Sequence, residues 1–181
     1  MRGGEEEEAP RAGIVMLGDS LTAGGDWKVL LDRPDVANHG IPGDTVRGVI
    51  ARVPEVVALR PEVVVVMIGI NDLLGGRAVD EVAAEHAELI RQLAPRARVI
   101  VQTLLPVRDV PVGRHAIAVL NEKLVAACAA NACELVDIGR AMTGPDGKLA
   151  AELTTDGLHL TEAGYRRWRD VLGPRLPAAR R

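Results

Sequence analysis

Two features of the 181-residue sequence predict an α/β protein, a parallel sheet covered by helices on both faces. Apolar runs of strand length alternate with longer stretches of helical period, the pattern of strand, crossover helix and next strand. The composition, 48% hydrophobic and 26% charged, is that of an ordinary globular chain. Its length suits one hydrophobic core. Residues 1–10, with Glu5, Glu6, Glu7 and Glu8 in a row, are expected to form a flexible acidic tail. Residues 11–176 are expected to form a single domain, and 177–181 a short C-terminal tail.

The elements follow in order. The first strand runs over residues 12–17 and meets Gly18-Asp19-Ser20, and a short amphipathic stretch through Trp27, Leu30 and Leu31 follows. A weaker strand over 35–38 stops at Gly40-Ile41-Pro42-Gly43, where two glycines and a proline specify a turn. Thr45 caps a helix to about Leu59, and Arg60-Pro61 ends it before the clearest buried strand, 62–68. The spacing of Val79, Val82, His86, Leu89, Ile90 and Leu93 predicts a helix closed by Pro95. A fourth strand covers 99–104, a loop 106–114, a helix the stripe Ile117, Leu120, Leu124 and Cys128, and a fifth strand 133–138. After a polar, Gly-rich connection, Thr161 caps a last helix in which Leu160 staples onto Tyr165, and Trp168 and Leu172 face inward. Five strands joined by right-handed crossovers make a flavodoxin-like three-layer α/β/α sandwich.

Several function classes are disfavoured. A formal net charge of −3, two Trp, one Tyr and no Phe leave neither a basic surface nor an aromatic ladder for nucleic acid. The longest apolar run, 63–70, is far short of the roughly 20 residues that cross a bilayer. The start, Met1-Arg2-Gly3-Gly4 and then acid, is unlike a signal peptide. No membrane insertion and a cytoplasmic location are expected, and the oligomeric state is unreadable. Cys128 and Cys133 lack a second pair at metal-ligand spacing and are expected to be two reduced, mostly buried thiols. No Gly-x-Gly-x-x-Gly follows the first strand and there is no Gly-x-x-x-x-Gly-Lys loop, so nucleotide binding has no support.

In an open parallel sheet ligands collect beyond the carboxyl ends of the strands. Those ends here carry Gly18-Asp19-Ser20-Leu21-Thr22, Asn38-His39-Gly40-Ile41-Pro42-Gly43-Asp44-Thr45 and Gly69-Ile70-Asn71-Asp72, while Asp156-Gly157-Leu158-His159 precedes the last helix. Acyl transfer needs a nucleophile, a base, a carboxylate to orient the base, and donors for the oxyanion. Ser20 at a strand-to-helix turn exposes its hydroxyl and its own N–H. Gly43 lets a backbone N–H approach closely, Asn71 supplies an amide, and Asp156 and His159 are spaced to pair.

These four ordered blocks resemble the GDSL, or SGNH, hydrolase superfamily, including its small acyl-hydrolase and platelet-activating-factor acetylhydrolase-like members. The resemblance maps the Ser, Gly, Asn and His of that family onto Ser20, Gly43, Asn71 and His159, with Asp156 as third triad member. It implies a three-layer α/β/α fold, an oxyanion hole of Ser20, Gly43 and Asn71, and no metal or organic cofactor. Thr22 stands where an α/β-hydrolase nucleophile elbow has its final Gly, so elbow-type lipases are disfavoured.

Plainer roles compete for several residues. Asp72 reads as a structural cap and His86 as a packing residue on an apolar helix face. His39 stands close to Gly43 in sequence but lacks an orienting carboxylate, and His115 is expected at the surface. Trp27 and Trp168 read as core, with Trp27 near enough to Ser20 to wall a pocket as the alternative. The leading function is hydrolysis of small carboxylic esters with short acyl chains, because the loop 72–78 is too short for a lid. Leu105, Val107, Val110 and Val112 could line only a shallow wall. A thioesterase or lysophospholipase would use the same residues. A non-catalytic phosphoacceptor module would need clustered acids after strand one, an acceptor Asp ending strand three and a Lys after strand five. Asp19 alone, Asn71-Asp72 and Gly139-Arg140 stand there instead.

Overall fold

The computed structural model describes residues 12–179, so the expected acidic tail of residues 1–10 lies outside the described residues. Five parallel strands, β1 (Ile14–Gly18), β2 (Val36–Gly40), β3 (Val63–Met67), β4 (Arg98–Gln102) and β5 (Glu134–Val136), form one sheet in the order β2-β1-β3-β4-β5. Every residue of β1 and of β3 is buried, as expected of central strands covered on both faces.

Helices α1 (Ser20–Ala23) and α2 (Trp27–Leu30) follow β1, and α3 (Val46–Ala51) and α4 (Val53–Ala58) follow β2. After β3 come α5 (Ile70–Leu74) and α6 (Val79–Leu93), then α7 (Arg114–Ala130), α8 (Ile138–Met142) and α9 (Glu162–Leu172). Helix α6 packs against α3, α4 and α7, whereas α9 packs against α2 and α8, which gives two helical layers around the sheet. The layers are sealed by aliphatic side chains, each worth about 1.5–3 kcal/mol when fully buried. One aromatic cluster adds to them: Trp27 and Trp168 meet edge to face at 4.9 Å, and Tyr165 stacks on Trp168.

The register positions the site. Gly18, at the end of β1, pairs with Gly40 on one side and Met67 on the other, so three strands finish level at one rim. The segments that follow therefore converge.

Three local expectations are revised, and Trp27 keeps its core reading while the alternative is dropped. The single helix over 45–59 is two, because Pro54 lacks an N–H and its ring opposes the carbonyl one turn earlier, leaving Arg52 at the break. The fifth strand ends at Val136, because the Asp137 carboxylate accepts from the Arg140 N–H at 3.0 Å and starts α8. Trp27 is 1% exposed and donates its indole N–H to the Thr22 carbonyl at 2.7 Å, so it supports α1 from within the core and walls no pocket. Cys128 and Cys133 form a disulfide instead of two thiols. The chain turns back after α7 through Ala132 at a φ of +53°, with the Cys133 N–H on the Cys128 carbonyl, which brings the two Cα atoms to 4.7 Å. Among the described residues no helix is long and apolar enough to cross a membrane.

Candidate active site

At the end of β1, Asp19 caps α1 by accepting the Leu21 N–H at 3.0 Å. The N–H of Ser20, in the first turn, has no partner within its helix and remains available to a ligand. Asp19 is 1% exposed. Burial pushes its carboxyl up to about 6, against the opposing pull of the Leu21 N–H and of the nearby His159.

The segment after β2 forms a tight turn. Its Ile41 N–H donates to the Gly18 carbonyl at 3.0 Å, and the Asp44 N–H donates back to the Ile41 carbonyl at 3.1 Å. Pro42 and Gly43 occupy the central positions, and Gly43 has a φ of +79°, the arrangement of a type II turn. A Cβ on Gly43 would meet nothing within 4 Å, so its need for glycine is conformational and not steric. After β3, the Asn71 side chain donates one amide N–H to the Asp44 carbonyl at 2.9 Å, leaving the second for a ligand. The buried Asp72 is a structural cap as expected: it accepts from the Val46 N–H at 3.0 Å, starting α3, and pairs with Arg77 at 2.7 Å.

The imidazole comes from the turn before α9. His159 Nε2 lies 3.0 Å from Ser20 Oγ, and Nδ1 lies 2.7 Å from Asp156 Oδ2. The same carboxylate accepts from the N–H groups of Leu158 at 3.0 Å and His159 at 2.7 Å. Together, first the imidazole and then the two amides, they hold Asp156 down at about 2. An ionised carboxylate only accepts, so Nδ1 carries the proton and Nε2 presents its lone pair to Ser20. Gly157, at a φ of +91°, makes this turn possible: a Cβ there would lie 1.9 Å from the Arg108 carbonyl oxygen.

The sequence-predicted residues Ser20, His159 and Asp156 thus form one hydrogen-bonded chain, and Gly43 and Asn71 are tied to each other through Asp44. The remaining histidines are not brought into that chain. His86 is buried and donates Nε2–H to the Ile68 carbonyl at 3.1 Å, beneath the Asn71 loop, and burial lowers its pKa to about 4. His39 is half-buried, with its pKa lowered by desolvation and by Arg52. His115 is exposed.

Two supporting residues escaped the sequence reading. Asn38 donates to the carbonyls of Thr22, Ala23 and Gly25, fastening α1 to β2. Arg52 is 9% exposed and bonds three groups of the rim. Its signal was a cation on the apolar stripe of Val49, Val53 and Val56, where a charge must find partners. Among the described residues no group of three or more His, Cys, Asp or Glu could hold a metal ion.

Comparison with known proteins bears on the fold and the family. Residues 16–167 match the GDSL-like Lipase/Acylhydrolase family. The chain is 32% identical over 163 residues to the platelet-activating factor acetylhydrolase IB subunit alpha2 of Rattus norvegicus, covering 84% of this chain and 70% of that protein. A GDSL-like lipase from Bacteroides thetaiotaomicron superposes with a TM-score of 0.81 at 25% identity, over 90% of this chain and 86% of that one. The acetyl xylan esterase AlAXEase shares the fold with a TM-score of 0.79 at 21% identity, over 91% and 99% of the two chains. With the match spanning most of the sheet and all four blocks, the chain belongs to the GDSL-like lipase/acylhydrolase family and is an ester hydrolase of that type.

Proposed function

We propose that the protein hydrolyses carboxylic esters with short acyl chains through an acyl-enzyme on Ser20. The observation that carries this reading is the continuous chain from Ser20 Oγ through His159 to Asp156, at 3.0 and 2.7 Å. Ser20 Oγ attacks the acyl carbonyl carbon as His159 Nε2 takes its proton, and Asp156 stabilises the imidazolium. The oxygen gains negative charge and is bound by the N–H groups of Ser20 and Gly43 and by the free amide N–H of Asn71. Collapse of the tetrahedral intermediate expels the alcohol, which takes the proton from His159. Water, deprotonated by the same imidazole, then attacks the acyl-serine and releases the carboxylic acid.

The short-chain preference rests on the openness of the rim. The side chains of His159 and Asp156 are 45% and 54% exposed. Leu105 and Val107, which could have lined an acyl wall, are each 4% exposed and belong to the core. The loop after β3 offers only α5 and two glycines, too little for a lid. Two of the proteins it resembles carry acetyl esters in their names.

The test is a fluorophosphonate probe with p-nitrophenyl esters from acetate to decanoate below their micelle concentrations. Ser20 is the expected site of labelling, and Ser20→Ala should abolish both labelling and turnover. Labelling at a different serine overturns the nucleophile. kcat/KM should plateau or fall beyond about four to six carbons, since a channel would add about 0.8 kcal/mol per buried methylene. A steady rise to decanoate would instead support the lysophospholipase or thioesterase reading.

A further inference from the structure

We infer that Arg52 is a positioning residue that sets the spacing between the nucleophile and the oxyanion donors. This inference rests on the site roles proposed above. The guanidinium forks onto three segments at once. Nη2–H donates to the Gly18 carbonyl at 3.0 Å, two residues before Ser20. Nη1–H donates to the His39 carbonyl at 2.8 Å, at the exit of β2. Nε–H donates to the Asp44 carboxylate at 2.9 Å, directly after Gly43, and Asp44 in turn accepts the Asn71 amide on its backbone oxygen. Every donor proposed for the oxyanion is therefore within a few bonds of a group that Arg52 holds.

The chain has arranged for this. Pro54 breaks the helix at residue 52, and the Arg52 side chain lies 10% exposed against an Asp44 side chain that is 12% exposed. A buried ion pair of this kind gains little net stability over an apolar pair of similar volume, because both charges lose their water. What it does supply is direction. A planar guanidinium reaches three acceptors along separate vectors, whereas an ammonium is a point charge on a flexible stem. Misplacing reacting groups by about 1 Å can cost on the order of 10²-fold in rate. Oxyanion donors are useful only when aimed at where the charge will develop.

The test compares wild type, Arg52→Lys and Asp44→Asn, measuring kcat and KM on p-nitrophenyl acetate, affinity for an aryl trifluoromethyl ketone that adds reversibly to the serine, and folded fraction by circular dichroism. Arg52→Lys keeps the charge and should lower kcat by about 10–100-fold, from the cost of misplacement, with KM within threefold. Ketone affinity should fall by a similar factor. Asp44→Asn keeps the backbone acceptor for Asn71 and a side-chain oxygen for the Thr45 N–H, and weakens the ion pair with Arg52, so it should show the same pattern, several-fold in size, and it decides the matter should Arg52→Lys not fold. The inference is overturned if a folded Arg52→Lys retains kcat within threefold, if KM alone rises, or if activity falls only in proportion to the folded fraction. Failure of the underlying site reading looks different: the wild type itself would then not be labelled at Ser20.

Discussion

The two sides of the rim are built in opposite ways. On the side of the proposed nucleophile and oxyanion donors, the supporting side chains are buried: Asp19 and Asp72 are each 1% exposed and Arg52 is 9% exposed. Two of them reach partners far away in sequence, Arg52 on Gly18 and Asp72 on Val46, whereas Asp19 caps its own helix at Leu21. On the side of the proposed base, Asp156 and His159 stand open to solvent and the turn is largely held within itself. Asp156 binds the ring and two amides of the next three residues, and the Thr154 hydroxyl donates to the His159 carbonyl at 2.7 Å. The difference fits the tasks proposed for the two sides. Oxyanion donors must be fixed before charge appears, whereas an imidazole needs one tautomer and one orientation, which a single carboxylate can set.

The largest expected effect tests the exposed side. His159→Ala should lower kcat by about 10⁴–10⁶-fold, the range for losing a base that acts as a unit with its serine. Asp156→Ala should cost about 10³–10⁴-fold, through loss of the orienting carboxylate. Neither should move the melting temperature much, because the turn is exposed. A large stability loss in both would show that this turn is as deeply integrated as the buried side and would remove the contrast. If His39→Ala proved the damaging change instead, the base would be misassigned.

Next in size is Asn71. Removing its amide should lower kcat by roughly 10²–10³-fold with little change in KM, the usual result for one oxyanion donor. The same variant also frees the Asp44 carbonyl, so some loss of stability should accompany it, unlike the pair above. Nearly full kcat in a folded Asn71→Ala would make the residue a loop fastener only.

The smallest effect concerns the buried charge beside Ser20. The Asp19 carboxyl titrates at about 6 in the folded chain against 3.8 ordinarily, chiefly because burial disfavours the ion. The folded protein therefore holds this proton more tightly than the unfolded one. The associated stability is fully present below pH 3.8 and is lost as pH rises through about 6. Asp19→Asn keeps an oxygen for the Leu21 N–H and removes the ion, so it should melt a few degrees above wild type near neutral pH. That gap reflects about 2–3 kcal/mol for a shift of this size and should close as the pH approaches 4. Differential scanning calorimetry across that window decides it, and a gap independent of pH would show that burial of the charge is not its source.

How legible all this was in the sequence varied by region. The blocks at 18–22, 38–45 and 69–72 are legible because each strand end announces itself by apolar residues giving way to Gly, Asp, Ser or Asn, and 156–159 is legible as a polar turn before the last helix. Caps at Thr45 and Thr161 were legible for the same local reason. Asp137 was missed as a cap because a strand pattern ran up to it, although its side chain is what ends that strand. Metal-ligand spacing says nothing of whether Cys128 and Cys133 pair with each other, whereas the left-handed Ala132 between them brings the two together. For Arg52 the sequence offers only a cation on an apolar stripe, because the three acceptors it reaches lie outside its own helix.

The sequence by itself determined the α/β class, the succession of strands and helices, and which side chains stand at the carboxyl ends of the strands. Those features depend on period, turn residues and chain connectivity, all of which are local or nearly so. Only the tertiary structure decided that Gly18, Gly40 and Met67 finish level, that His159 reaches Ser20 from 139 residues away, and that one buried guanidinium joins three loops. Register across a sheet, and hydrogen bonds between distant segments, arise from packing the whole core at once, and no window of sequence records them.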